Sequence, residues 1–453
     1  MPDSSPVDDL LATLRSTIRG TVAVPGDAGY QTLVSAFQQG IRHMPPVAVD
    51  PADAADVATV VAAAAAAGVP VTALGEGHGF HYGITDGVVI RTRSLRSVEV
   101  DPGTRTARIG AGTRWQEVID VSGPLGLVPL SGSDAGVGAV GYVLGGGLGP
   151  FGRTYGYAAD SVLSFDVVTG EGQLVTVDDT RHPDLWWALR GGNHGLGVVV
   201  AMTVRLIPSA DIRGNAWYYA ASDLEEMLRA WVEWGRDLPK EMNSYAYIAR
   251  MPDDPALPDP LRGRTLLELL HIHIGEEAVG SELVAPLLDI ATPVFHEPGR
   301  VREETMAPTV TTDGGVFLDG LDDEGLSAIL ALAGPQHTRR DVPLVSVGLQ
   351  LLGGALDIPQ ASLNAVTGRG ARYAFHMIGT VPELVGTTIP EQIRTLHRAV
   401  ARLHSQGTLP NYIGPSNEPG SVEGAWAPQV RTRLDSIRAT YDPAGILTDS
   451  HTN

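Results

Sequence analysis

Val71-Thr-Ala-Leu-Gly-Glu-Gly-His-Gly79 is the stretch that decides how this chain is read. Val71 to Leu74 is short, apolar and partly β-branched, the composition of a buried strand. It ends abruptly in Gly75, Gly77 and Gly79, which alternate with Glu76 and His78. Glycine lets backbone N–H groups converge on phosphate oxygens, and that is what a dinucleotide needs where a strand ends. His78 has glycine on both sides. A histidine in a turn is ordinarily polar surface, but such bare neighbours suit a site that another molecule must approach closely.

Upstream, Asp50-Pro51 reads as the N-cap and first position of a helix that runs through an alanine-rich stretch to Gly68. Downstream, strands are expected at Gly87–Ile90 and Thr106–Ile109. Strands and helices thus mix over the first hundred residues, an α+β pattern. From Gly132 to Gly156 there are ten glycines in 25 residues, interleaved with Val, Leu, Tyr and Phe. This is a second backbone cradle and not a flexible linker. A hairpin follows at Ser161–Val168 and Gln173–Val177, then a short helix at His182–Arg190 and an apolar strand at Val198–Ile207. After Pro208 glycine thins out. A helix is expected at Leu224–Trp234, with strands at Tyr245–Arg250, Leu266–Ile274, Val345–Leu352 and Tyr373–Ile378. The tail Ala427–Tyr441 reads as an amphipathic helix stopped by Asp442-Pro443. Three segments result: 1–207, a second domain at 208–408, and a C-terminal segment at 409–453 that returns to the first.

The 453 residues carry 32 Lys and Arg against 52 Asp and Glu, a net charge of −20. Nucleic acid and anionic membrane surfaces call for a basic patch, so neither is expected as a partner. With no cysteine, disulfides, thiolate nucleophiles and thiolate-bound metals are excluded. The acidic start MPDSSPVDDLLATLRS lacks the apolar core of a secretion signal, and no window has the ~18 apolar residues of a membrane span. A cytoplasmic location is expected.

Gly136-Val-Gly-Ala-Val-Gly141 matches GxGxxG, but Tyr142-Val-Leu-Gly-Gly-Gly147 after it is a poor helix, so the nicotinamide Rossmann reading is set aside. Five ordered motifs instead resemble the FAD-linked oxidases of the vanillyl-alcohol oxidase superfamily, in the berberine-bridge-enzyme-like branch. They are Val71–Gly79, Val137–Gly149, Tyr155-Gly-Tyr-Ala-Ala-Asp-Ser-Val162, Asp184-Leu-Trp-Trp-Ala-Leu-Arg-Gly-Gly-Asn-His-Gly-Leu-Gly-Val-Val199 and Tyr441-Asp-Pro443. The resemblance covers nearly the whole chain. It implies a PCMH-type FAD-binding domain of two α/β subdomains, and a substrate domain with an antiparallel sheet covered by helices. It further implies a flavin bound through its 8α-methyl to His78. The pyrophosphate would lie on Gly75, Glu76, Gly77 and Gly79, and Asp134, Val137, Gly138, Gly141, Tyr142 and Gly145, Gly146 and Gly147 would line the second side. Val198 and Val199 would sit at the adenine end, and Asn411 and Tyr412 would return to the isoalloxazine.

The chain departs from this pattern at telling places. Asp134 stands where many relatives have a second flavin-linking cysteine. Gln350, in Val347-Gly-Leu-Gln-Leu-Leu-Gly-Gly-Ala355, lies where an acid and an arginine are common. Candidate active-site side chains are therefore Tyr245 and Tyr247, His271 and His273, Gln350, Tyr373 and His376. Tyr373 and His376 have opposite parity on one strand, so at most one faces the ligand. His376 is the favoured base, because imidazole accepts a proton near neutral pH. Gln350 would orient the substrate and Tyr412 complete the site, with Tyr247 or Tyr412 as the alternative base. His271 and His273 alone make no metal site, since a third ligand is not evident. The expected activity is hydride removal from a small organic metabolite, with O2 reoxidising the flavin, in natural-product biosynthesis. The alternatives are an NADPH-dependent reductase on the same fold, without the covalent bond, and a non-catalytic flavin- or ligand-binding module.

Overall fold

The computed structural model describes residues 6–301, 309–338, 340–358 and 364–448. Three large sheets organise them, beside a two-stranded pairing of Leu127–Val128 with Ile207–Pro208. The first orders its strands Thr21–Ala23, Val47–Asp50, Val88–Arg91, Val71–Leu74, the last three mutually parallel. Parallel strands need a crossover on a face. Helix Ala54–Ala67 supplies it, burying Val57, Val60, Val61 and Ala64 at helical spacing. Its N-cap is Asp53, whose carboxylate accepts from the amides of Ala55 and Asp56 at 3.0 and 3.2 Å. Asp50 and Pro51, expected to open this helix, instead end strand Val47–Asp50 and lead to that cap.

The second sheet is antiparallel, in the order Val98–Asp101, Thr106–Gly110, Val198–Arg205, Val162–Val168, Leu174–Val177. A short helix, Ala139–Leu144, lies in the glycine-rich segment where none was expected. Six residues starting just after Gly138 and ending at Gly145 are short enough that Gly141 does not break them. The segment before it holds only the two-residue strand Leu127–Val128, so no βαβ unit surrounds the GxGxxG.

The third sheet has seven antiparallel strands among the described residues. Their order is Phe295–Pro298, Ile212–Ala220, Thr265–Ile274, Met242–Arg250, Ser346–Leu351, Tyr373–Gly379, Thr312–Leu318. One face packs on helices Leu224–Trp234, Glu277–Leu288, Asp323–Ala333 and Thr388–Ala399 through Ile248, Leu267, Leu269, Leu349, Phe375 and Met377. The other face turns toward the first two sheets. Arg153 bridges across: its buried guanidinium donates to the carbonyls of Met242 (2.7 Å), Leu238 (2.9 Å) and Pro239 (3.2 Å) and to that of Leu352. The C-terminal helix Pro428–Tyr441 packs near helix Pro183–Leu189, and the chain then reaches the first sheet, where Val71 N donates to Ile446 O at 2.8 Å. Among the described residues no helix is long and apolar enough to cross a membrane.

Candidate active site and cofactor cradle

A cavity of about 560 Å³ lies between the glycine turns and the third sheet. Its floor is Gly75–Phe80 together with Ser133, Asp134, Val137, Gly138, Gly141 and Tyr142, and its roof is the sheet. Glu76 is buried under the turn and anchors it from behind. Its carboxylate meets Arg114 at 2.6 Å, Arg96 at 3.2 Å and Arg93 at 3.4 Å. Burial alone would raise this carboxyl, but Arg114, Arg93 and Arg91 outweigh it and hold it below its usual value. Gly77 must be glycine: its φ is +76°, and a Cβ there would strike Ala36. The N–H groups of the turn are thus held by an ionic anchor and by a backbone shape that only glycine takes easily.

His78 is the unusual group. Both ring nitrogens are sealed from solvent, with no hydrogen-bond partner among the described residues. Phe37 stacks on the ring at 3.8 Å between centroids, 16° from parallel. Desolvation lowers the imidazole to about 4, against the opposing pull of Asp134 and Glu76, so His78 is neutral at pH 7. Leaving two buried ring nitrogens unpaired costs about 1–3 kcal/mol each and calls for an explanation in function.

The roof is built in rows by β-register. Tyr218, Glu268, Tyr247, Gly348, His376 and Gly315 lie side by side across six strands. Two residues along, the same face carries Leu270, Tyr245, Gln350 and Ala374. Gly348 leaves the space that the Tyr247 ring occupies, since a Cβ would meet that ring at 2.6 Å. Tyr245 and Tyr247 stack at 5.8 Å. Tyr412 arrives from the C-terminal segment and donates its hydroxyl to Gln350 Oε1 at 3.0 Å, and Gln350 Nε2 donates to Gly149 O at 3.2 Å. Asn417 fixes that segment by accepting from the amides of Gly315 and Gly414, both at 3.1 Å. Arg300 reaches Glu268 at 3.2 Å and Glu297 at 3.0 Å beside the row.

The cavity therefore brings together His78, Gly75, Glu76, Gly77, Gly79, Asp134, Val137, Gly138, Gly141, Tyr142, Asn411, Tyr412, Tyr247, Gln350 and His376. Other expected residues lie elsewhere. Gly145, Gly146 and Gly147 do not line it. Side chains there would run into Asn411, Leu409 and Tyr142, so these glycines serve close protein packing. Val198 and Val199 are buried in the cores on either side of their strand, again off the cavity. His271, His273 and Tyr373 have the parity of the helix-covered face, and His271 pairs with Ser244 Oγ at 2.9 Å. Residues not expected to take part are Asp313, Glu268 and Arg300. Glu268 could have been found by parity, because it precedes His271 by three on one strand and so faces the opposite way.

Residues 45–178 match the family described as "FAD binding domain". The chain carries an FAD-binding domain. Its fold is that of known flavin oxidases. BBE-like 1 of Physcomitrella patens superposes with a TM-score of 0.82, covering 99% of this chain and 98% of that one at 19% identity. Glucooligosaccharide oxidase from Acremonium strictum, described with a 6-S-cysteinyl, 8α-N1-histidyl FAD, gives 0.80 over 97% and 98% at 19% identity. Among curated sequences, FAD-dependent monooxygenase tpcD of Cochliobolus heterostrophus is 31% identical over 224 residues, 48% of this chain and 43% of its own length. The match thus spans well under half of that relative.

The FAD-binding domain fits its cofactor on its own residues. Gly141 faces open space, with nothing within 4 Å of where a Cβ would stand. His78 lines the same cavity, with its ring nitrogens covered and without a hydrogen-bond partner among the described residues.

Proposed function

We propose that this chain is an FAD-dependent oxidase that bonds the flavin 8α-methyl to His78 and removes hydride from a small alcohol, amine or sugar-like metabolite. The observation that carries this reading is His78: a neutral imidazole that lines the cavity roofed by the third sheet and whose ring nitrogens have no hydrogen-bond partner among the described residues. A neutral imidazole nitrogen has the free lone pair that a carbon–nitrogen bond requires. Asp134, in place of a cysteine, leaves a single link. Bound here, FAD supplies the two-electron acceptor, with O2 as the final oxidant.

The chain's own residues do the rest. The turn amides at Gly75–Gly79 hold the pyrophosphate, and the Glu76 anchor keeps them in place. Tyr245 and Tyr247 present an aromatic wall, Gln350 and Tyr412 orient the substrate, and His376 takes the proton that the substrate loses. The substrate and O2 are the partners; the acidic chain binds neither nucleic acid nor membrane. We assign the enzyme to the cytoplasm and to natural-product biosynthesis.

Acid precipitation tests the covalent bond. Wild-type protein gives a yellow pellet, and His78→Ala releases its flavin to the supernatant. A colourless wild-type pellet, or a flavinylated peptide that lacks His78, overturns the assignment. Anaerobic mixing with NADPH leaves the flavin oxidised; bleaching would favour a reductase instead.

A further inference from the structure

Strand Thr312–Leu318 lies at the sheet edge beside Tyr373–Gly379, with Gly315 opposite His376 and Asp313 opposite Ile378. Asp313 and His376 are therefore diagonal neighbours on the cavity face, and His376 Nε2 is 3.0 Å from Asp313 Oδ2. Gly315 permits this approach, because a Cβ there would come within 3.0 Å of His376 Cδ2. Other titratable groups face the pair from several elements. The Tyr412 ring lies edge-on at 5.5 Å, His78 feels Asp313 across the cavity, and His397 feels His376 from helix Thr388–Ala399. Tyr412 donates a hydrogen bond to the neutral Gln350 amide.

We propose that Asp313 is the positioning residue of the base: its carboxylate accepts the Nε2 proton of His376 and so leaves the Nδ1 lone pair to take the substrate proton. This rests on the oxidase reading above. When the substrate is oxidised, its O–H or N–H bond breaks and that proton goes to Nδ1. The carbon hydrogen leaves with its electron pair to the flavin, and a C=O or C=N bond forms. The imidazolium stays beside the Asp313 carboxylate, which stabilises it, and returns its proton to water once product has gone. A carboxylate of this kind fixes the tautomer and ring orientation of its partner.

Nitrogen-15 NMR of histidine-labelled, flavin-loaded protein tests the pair without any substrate, with the His376 signals assigned from their loss in His376→Gln. Wild type shows His376 as the Nε2–H tautomer. In Asp313→Asn that tautomer preference is lost, and Asp313→Glu restores it in part. An unchanged tautomer in Asp313→Asn overturns the proposal. A second measurement follows anaerobic flavin reduction with benzyl alcohol, D-glucose and N-methylbenzylamine as probes. The limiting rate of reduction falls by about 10-fold or more in Asp313→Asn, and Asp313→Glu recovers part of it. A rate that stays unchanged while the tautomer preference is lost overturns the catalytic part. Failure of all three probes with wild type counts against the oxidase reading, and the tautomer measurement still decides the pair.

Discussion

The hydroxyl of Tyr412 and the side-chain oxygen of Gln350 are joined by a 3.0 Å hydrogen bond in which the tyrosine is the donor. That hydrogen bond sets the tyrosine to hold the Gln350 amide in place, a positioning task, and leaves the proton transfer to His376. Tyr412→Phe is therefore expected to slow anaerobic flavin reduction by no more than about 10-fold, whereas His376→Ala costs ~10²–10⁴-fold, the usual effect of losing a general base. Stopped-flow reduction of both variants checks this. A larger loss in Tyr412→Phe would transfer the base to the tyrosine.

Burial keeps several histidines neutral: it lowers His43 to about 4, and His271 and His397 to about 3. In the unfolded chain each takes up its proton near 6.5. Between those values the unfolded state binds more protons, so stability is full above about pH 6.5 and falls as pH drops toward 4. Each such group costs up to about 1.4 kcal/mol per pH unit across that window. Thermal melts from pH 8 to 4 should show a Tm that is flat above neutrality and falls steeply below pH 6.5. His271→Phe, which removes one of these groups, should make the fall shallower.

Glu268 and Arg300 form a mostly buried pair on the cavity face. Removing one partner of such a pair typically costs about 3–5 kcal/mol, because the other charge stays behind in a poor solvent. Arg300→Met should therefore destabilise the protein by roughly that amount in urea melts, and adding Glu268→Gln should recover most of it. Simple addition of the two losses would mean that the pair is uncoupled.

Arg153 holds its buried cation among four carbonyls of the substrate-sheet half. Arg153→Ala strips charge-assisted donors from that boundary, each worth about 1.5–3 kcal/mol. The expected result is a loss of at least about 3 kcal/mol in overall stability. If the two halves then unfold in separate calorimetric steps, the arginine is their main coupling. A single unshifted transition would show that it is not.

Four of the seven described strands of the third sheet are legible as apolar or alternating runs, at Tyr245–Arg250, Leu266–Ile274, Val345–Leu352 and Tyr373–Ile378, and helix Leu224–Trp234 carries a clean apolar stripe. Ile212–Ala220, Phe295–Pro298 and Thr312–Leu318 are not. Thr312-Asp-Gly-Gly has the composition of a turn, and it is a strand only because the neighbouring Tyr373–Gly379 and the Asn417 side chain take up its polar groups. Asp313 was hidden with it. The cradle glycines divide on similar grounds. Gly141 and Gly75 face the cavity, whereas Gly145–Gly147 are small because Asn411, Leu409 and Tyr142 press on them. A glycine-rich string looks the same in either role until its neighbours, some 270 residues away in the case of Asn411, are placed.

The join between Val71 and Ile446 has a consequence in time. The Thr72 and Thr448 hydroxyls also meet there, 376 residues apart in sequence. The strand that leads directly into the Gly75–Gly79 turn is thus flanked by a segment far downstream in the chain. Contacts of such long range form late, after the loop between them has been closed. The pocket wall that carries His78 therefore gains its final support only once that long loop has closed, which makes flavin capture a late event in the folding of this protein.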